Sequence, residues 1–330
     1  MPIHIVMTPV RNEAWILRAF LESTSRWADF IIIADQMSTD GSRDIIQEYA
    51  QRNAAMQGRA EILMIDNNNP EFNEPERQTM LIAKAREVAA GRDTLLWGLD
   101  ADEILAANTF KTKDWDRIMN SKPGDVFWFR WAEISPNQKD FSISIYYPWL
   151  FHDDGKEPHG NYVRNMHSMR IPYPIEEKQM YQVNDFFVLH MAYLNTHRVV
   201  SKSRFYQFVD WEMNHRSFVT LNRNYRNQVQ LSFVNPLEPE MLYSDFDIFK
   251  LADTVVSKCY MDEYIVDRLS RHPMRELRKL DIWDKEFCDN YHLQDPRPWW
   301  IKLAHKYLKA TSKKKRNAFV RAFDRVLKVL

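Results

Sequence analysis

Apolar residues recur along the first hundred positions with two alternating periods. Ile3-His4-Ile5-Val6-Met7 is strand-like and is halted at Thr8-Pro9. Asn12-Glu13 then opens a helix that carries Ile16, Leu17, Phe20 and Leu21 on one face, the spacing of an amphipathic helix. Phe30 to Ala34 is a continuous apolar run, the pattern of a strand buried on both faces. Asp40-Gly41 reads as a turn and Ser42 as the N-cap of a second helix whose inner face holds Ile45, Ile46 and Tyr49. Glu61 to Ile65 predicts a third strand. Pro75 suits the first turn of a third helix, with Met80, Leu81, Ala83 and Val88. Thr94 to Leu99 predicts a fourth strand ending at Asp100. Strand–helix repetition with short connections predicts an α/β fold built on a mostly parallel sheet flanked by helices. Such a sheet binds its ligand beyond the carboxyl ends of its strands.

The pattern loosens afterwards. Val126 to Ala132, Ser142 to Tyr147 and Phe186 to His190 predict further strands, His152 to Pro174 a polar loop, Arg198 to Glu212 a helix, and Ser244 to Arg271 a helical region ended by Pro273. These elements suggest a catalytic domain over 1–235, divided into a ligand-binding half (1–105) and a second half (106–235). A helical extension follows over 236–296, and a tail over 297–330.

The predicted strand ends share an unusual chemistry. Thr8 to Glu13 follows the first strand, Asp35 the second, Asp66 the third, and Asp100-Ala101-Asp102-Glu103 the fourth. A lone Asp after a strand is commonly a turn former, but four such sites on one edge point to a ligand. Asp100 and Asp102 lie two apart at a strand end, where a bend can aim both carboxylates at one cation. Paired carboxylates with few other protein ligands hold Mg2+ or Mn2+ beside a phosphate, which supplies the remaining oxygens.

Taken in order, Thr8-Pro9-Val10-Arg11-Asn12-Glu13, Trp27-Ala28-Asp29, Asp35 with Ser38-Thr39-Asp40-Gly41-Ser42, and Leu99-Asp100-Ala101-Asp102-Glu103 resemble the opening of family 2 glycosyltransferases of the GT-A fold, in the flavour of bacterial enzymes that build surface glycans. The resemblance covers roughly the first 105 residues well and the rest loosely. It implies metal-dependent, inverting transfer of a sugar from a UDP- or GDP-sugar to a glycan or lipid-linked acceptor. Asp35 matches the position that holds the base or ribose, with Thr8, Val10 and Glu13 lining the same pocket. Asp100 and Asp102 match the family's metal- and donor-binding Asp-x-Asp, and Arg77 a position near the donor phosphates. His190, at the end of its strand, matches a later histidine that completes the metal shell; a structural histidine at a strand end is the other reading. Lys202 and Arg204 resemble the basic positions that follow it. The acceptor base is open among Glu133, Asp153, Asp154 and His167. A family His-Glu pair would fall near Asn165 to Ser168, where Ser168 replaces the Glu. Trp128, Trp131, Tyr146, Tyr147 and Trp149 are candidates for stacking on sugar rings or for plain core packing. Two other functions compete: a nucleotidyltransferase, disfavoured by the lack of a glycine-rich phosphate loop near the N-terminus, and a catalytically silent binding module.

Composition sharpens the reading. The chain is rich in Phe (19), Tyr (14) and Trp (11) against 7 Gly, and its 45 Lys+Arg balance 45 Asp+Glu. Hydrophobic residues at 45% exclude wholesale disorder. Cys259 and Cys288 are too few for a disulfide framework and fit a reducing compartment. No apolar stretch resembles a signal peptide or a membrane span, so a cytoplasmic protein is expected. The neutral total conceals a division: residues 297–330 carry eleven basic residues against the single acid Asp324, a net of +10, and residues 1–296 carry −10. Trp300, Leu303, Ala304, Tyr307 and Leu308 form one apolar helical stripe in that tail; Phe319, Phe323, Val326, Leu327 and Leu330 form another. A basic amphipathic helix suits an anionic membrane surface, packing on protein being the alternative. No recognised nucleic-acid fold accompanies the charge, so no nucleic acid is expected.

Overall fold

In the computed structural model the strand–helix alternation of the first hundred residues is present nearly as predicted. The structure describes residues 1–156, 166–172, 179–225, 232–253, 259–312 and 317–329. They divide into two compact units, Met1–Leu194 with Phe233–Thr254, and Asn195–Ser232 with Val255–Leu330.

The first unit opens with β1 (Ile3–Val10), α1 (Ala14–Thr24), β2 (Phe30–Asp35), α2 (Ser42–Ala55), β3 (Glu61–Asp66), α3 (Glu74–Ala89) and β4 (Thr94–Gly98). The four strands pair in parallel in the order β3-β2-β1-β4. Local chemistry sets the helix ends. Asn73 Oδ1 accepts from Glu76 N at 3.2 Å, Pro75 sits in the first turn of α3, and Ala90 closes the helix in the left-handed region. Gly41, with φ of 91°, is the N-cap of α2 in place of the expected Ser42. Ser42 begins the helix, and its hydroxyl donates to Asp40 and accepts from Glu13 N. The buried faces of Ile5, Met7, Ile32, Leu96 and Phe151 meet Leu81, Ile82 and Ala85 of α3.

The sheet then departs from the expected parallel pattern. β5 (Glu103–Leu105), α4 (Lys113–Met119), β6 (Val126–Ile134), β7 (Asp140–His152), β8 (Met180–Gln182), β9 (Val188–His190) and β10 (Asn235–Pro236) complete it. The order is β3-β2-β1-β4-β7-β6-β9-β5, with β8 on β6 and β10 on β7. β7 runs antiparallel to both β4 and β6, and β5 antiparallel to β9, so the sheet is mixed rather than mostly parallel. The cause is connection length: the short link between β6 and β7 permits only a hairpin, because parallel pairing needs a crossover of a dozen or more residues.

The second unit is helical: α5 (Thr196–Asn214), α6 (Phe218–Tyr225), α7 (Tyr260–Leu269), α8 (Met274–Leu277), α9 (Lys285–Asn290), α10 (Trp299–Ala310) and α11 (Ala318–Val329). Only Tyr260–Leu269 of the helical region expected over 244–271 is a regular helix. Ser244 to Asp253 instead turns, with Asp247 accepting from the Phe249 and Lys250 amides, and 254–258 lie outside the described residues. Arg204, buried, is fixed by Asp262 at 2.7 and 2.8 Å and by Asp284 at 2.8 Å. Ile301, Ala304 and Leu308 of α10 and Leu327 of α11 pack with Phe218 and Val219 of α6. The expected tail stripes therefore split, one side of each helix packing inward and another facing out. Lys313 to Arg316 and Leu330 lie outside the described residues.

Candidate functional site

The parallel strands bring their carboxyl ends to one edge, with Val10, Asp35 and Asp66 level in the register. Asp35 is fully buried, and its Oδ2 accepts from Arg43 at 2.7 Å; Arg43 also reaches Asp66 at 2.8 Å. Asp35 Oδ1 and the hydroxyl of Thr8 are buried with no hydrogen-bond partner among the described residues. Buried polar atoms left in this state are uncommon and call for an explanation such as a ligand. Val10 is buried and its carbonyl accepts from Gln36 N at 2.8 Å. Asn12 adopts φ of 54° and exchanges hydrogen bonds with the 38–39 turn, its amide with Ser38 Oγ and its Oδ1 with Thr39 N. Glu13 Oε2 accepts from Trp15 Nε1 at 2.8 Å. The loops after β1 and β2 thus brace each other.

A second group forms where β4, β5, β6 and β9 meet. Glu103 pairs with His190 across β5 and β9, and Glu133 pairs with His190 across β6 and β9. These registers place Glu103, Glu133 and His190 side by side on one face of the sheet. His190 Nδ1 lies 2.6 Å from Glu133 Oε2, and its Nε2 lies 3.5 Å from Asp102 Oδ2. The Trp131 ring stacks on the imidazole with centroids 4.5 Å apart. Asp102, Glu103 and His190 each offer a ligand atom, all within 4.8 Å of one another. Glu103 Oε1 is buried with no hydrogen-bond partner among the described residues. Two carboxylates and an imidazole suit Mn2+ or a similar divalent ion, so the donor set fits the expected metal, with Glu103 joining Asp102 and His190.

Asp100 has a different neighbour. Arg170 Nη2 donates to Asp100 Oδ2 and Arg170 Nη1 to Glu103 Oε2, both at 2.6 Å. The segment that carries Arg170 passes directly over the end of β4. A Cβ placed on Gly98 would lie 2.5 Å from Arg170 Cβ and 2.8 Å from its carbonyl oxygen, so only glycine admits this crossing. The same segment is tied to α3, where Ser168 N donates to Glu74 Oε2 at 2.8 Å.

Burial dominates the electrostatics. It lifts Glu103 to about 7, with Asp100 adding to the rise and Arg170 and His190 opposing it. For His190 burial works against the charged form but is outweighed by Glu133 and Asp102, and the imidazole is raised to about 10. Arg170 is likewise desolvated, yet Asp100 and Glu103 push its pKa upward. The site is a compact alternation of carboxyl groups with one imidazole and one guanidinium.

The structure therefore brings together Asp100, Asp102, His190 and Glu133, and places Thr8, Val10, Glu13 and Asp35 around the neighbouring strand ends. Arg77 lies in the first turn of α3, mostly buried, 4.0 Å from Glu74, and its Nε has no hydrogen-bond partner among the described residues. His167 is exposed on the segment that carries Arg170, with φ of 60°. Asp153 and Asp154 lie elsewhere. Asp153 N donates to Thr94 O at the start of β4, and Arg86 grips its carboxylate at 2.7 and 3.0 Å. That is the amino edge of the strand, opposite the acidic cluster. Trp149 and Tyr147 pack against Trp131, their ring centroids 5.0 and 4.4 Å from it. Arg204 belongs to the helical unit and is spent on Asp262. Asn165 lies outside the described residues.

No protein-family model matches the chain, and no curated protein matches it. Among solved structures it is similar to the mannosyltransferase PcManGT from Pyrobaculum calidifontis in complex with GDP-Man and Mn2+. The TM-score is 0.40 at 10% sequence identity, with 96% of this chain and 88% of that chain covered. Fold and site together define an α/β protein with a metal-competent acidic cluster on the carboxyl edge of a mixed sheet.

Proposed function

We propose that the chain is a glycosyltransferase that moves a sugar from a nucleotide-sugar donor to a saccharide or lipid-linked acceptor of the kind used in surface-glycan synthesis, with inversion. The observation that carries this reading is the cluster of Asp102, Glu103 and His190 on the same edge as the buried, half-satisfied carboxylate of Asp35. Asp102, Glu103 and His190 would hold Mg2+ or Mn2+, which when bound supplies Lewis-acid neutralisation of a departing diphosphate.

The protein's own groups have separate tasks in this scheme. Asp35 Oδ1 and Thr8 Oγ1 offer an acceptor and a hydroxyl to the ribose or base, with Val10 and Glu13 shaping the wall. Glu133 orients the imidazole of His190 and holds a proton on its Nδ1, which leaves Nε2 for the cation side. Arg170 keeps Asp100 and Glu103 from repelling each other and adds positive charge where a diphosphate would lie. Arg77 contributes a further cation from the start of α3. Of the four base candidates, Glu133 is committed to His190, and Asp153 and Asp154 lie by the opposite edge. His167, exposed beside Arg170, is the residue we assign to deprotonate the acceptor hydroxyl.

A thermal-shift panel of UDP- and GDP-sugars with and without Mn2+ tests the reading. A nucleotide-sugar stabilises the wild type only with the metal, and Asp102→Asn abolishes both that shift and donor hydrolysis. Turnover of a nucleoside triphosphate with a sugar phosphate would replace the proposal with nucleotidyl transfer. No response to any nucleotide would leave a binding module.

A further inference from the structure

α10 and α11 each bury one side and leave another apolar side exposed. Ile301, Ala304 and Leu308 face α6, whereas Trp299 and Leu303 of α10 are 76% and 59% exposed. On α11 Leu327 is buried, while Phe319, Phe323 and Val326 are 76%, 41% and 59% exposed. Trp299, Leu303 and Tyr307 repeat at four-residue intervals, and the Tyr307 ring meets that of Phe323 at 4.7 Å. One apolar stripe therefore continues from the first helix to the second.

The exposed charges on the two helices have one sign, and Lys302 is paired with Asp295 at 3.1 Å. Lys306 and Lys309 on α10 and Arg321, Arg325 and Lys328 on α11 are exposed. The single acid of 297–330 is turned inward: Asp324 is buried and accepts from Arg223 at 2.8 and 3.1 Å. Packing on α6 thus hides the only anion and presents cations beside exposed aromatic rings. Each helix has 12 residues, about 18 Å of length, against a hydrocarbon core of about 30 Å. Among the described residues no helix is long and apolar enough to cross a membrane.

We propose that the outer face of α10 and α11 docks on an anionic lipid surface. Trp299, Leu303, Phe319, Phe323 and Val326 enter the boundary between headgroups and acyl chains, and the flanking Lys and Arg meet lipid phosphates. A second copy is a poor occupant, because it would press cations against cations. A nucleic acid would leave the apolar stripe unused.

Flotation of the full chain with vesicles tests the proposal. Vesicles of phosphatidylcholine containing one-quarter phosphatidylglycerol capture the wild type, and vesicles of phosphatidylcholine alone do not. Each surface cation is worth roughly fivefold in partition, so Lys309→Glu/Arg325→Glu/Lys328→Glu lowers capture roughly a hundredfold or more. Phe319→Ser/Val326→Ser, both at exposed positions, lowers it at least about tenfold and leaves the thermal transition in place. Equal capture by neutral vesicles, or capture unchanged in either variant, overturns the proposal. So does a wild-type dimer that both variants dissolve without any vesicle binding.

Discussion

His190 sits between two carboxylates that do different things to it. Glu133 lies 2.6 Å from Nδ1 and fixes the tilt of the ring, and Asp102 shares its far side. Glu133→Gln keeps the shape but removes the anion, so Mn2+ affinity in a calorimetric titration is expected to fall about 10- to 100-fold. An unchanged affinity would remove His190 from the metal site. Gly98→Ala forces a Cβ into Arg170 and its backbone; a loss of about 1–3 kcal/mol in urea unfolding is expected, together with loss of the Mn2+-dependent thermal shift. His4 provides a pH test away from the site. It accepts from Trp97 Nε1 at 3.2 Å, and burial lowers its pKa to about 4. A histidine held neutral in the fold stabilises fully above its unfolded value of about 6.5 and loses that contribution as pH falls toward 4. The His4 contribution to that loss is about 3 kcal/mol, read as the difference in pH dependence between the wild type and His4→Asn, which keeps an acceptor but does not titrate. Much of the site was readable because Asp35, Asp100, Asp102 and His190 fall where predicted strands end. Glu103 was visible as part of the acidic run, but its meeting with His190 depends on the β5–β9 pairing, a contact between distant segments. Arg170 carried no signal. It arrives on an irregular segment whose position depends on Gly98, and periodicity is silent about such segments.

At the scale of elements, Arg223 of α6 is a staple. Its guanidinium holds Asp324 of α11, the carbonyl of Leu308 and the hydroxyl of Thr311. Asp324→Asn takes away the anion opposite a buried guanidinium, which costs about 3–5 kcal/mol. Hydrogen exchange should show that loss first in α11, with α5 and α7 unaffected. A cut after Pro296 would be a harsher change, since it removes Ile301 and Leu308 from the core beneath α6. The first three helices and most of α5 were legible from their spacing, and the first four strands from their apolar runs and breakers, whereas the shorter helices α4, α6, α8 and α9 were not. The later strand order was not. β6 and β7 are adjacent in sequence and pair as a hairpin, but the insertion of β7 between β4 and β6 is decided by which buried faces fit. The tail illustrates the same limit: amphipathic spacing identified apolar stripes, but only α6 decides that Leu327 packs inward while Val326 stays out.

For the whole molecule, the site residues Asp35, Asp100, Asp102, Glu103, Glu133, Arg170 and His190 all belong to the unit formed by Met1–Leu194 and Phe233–Thr254. Saturation with a nucleotide-sugar and Mn2+ at a hundred times its Kd adds about 2.7 kcal/mol to that unit's stability. The added amide protection should map to those segments, and protection spread evenly through α5 to α11 would count against the assignment. The division of the first unit into two stretches of chain also has a consequence for its synthesis. β10 pairs with β7, Tyr243 donates to the Leu105 carbonyl, and Asp253 N donates to the Trp15 carbonyl at 2.6 Å. These closing contacts reach back to β7, β5 and the first helix, and they emerge only after α5 and α6 have been translated. At about 5–20 residues per second, a nascent chain that already carries every residue of the acidic cluster waits several seconds for the segment that completes its sheet. During that interval the start of β7, at Asp140 and Phe141, lacks its β10 partner, and the closing of that end of the sheet rests on how quickly residues 233–253 follow.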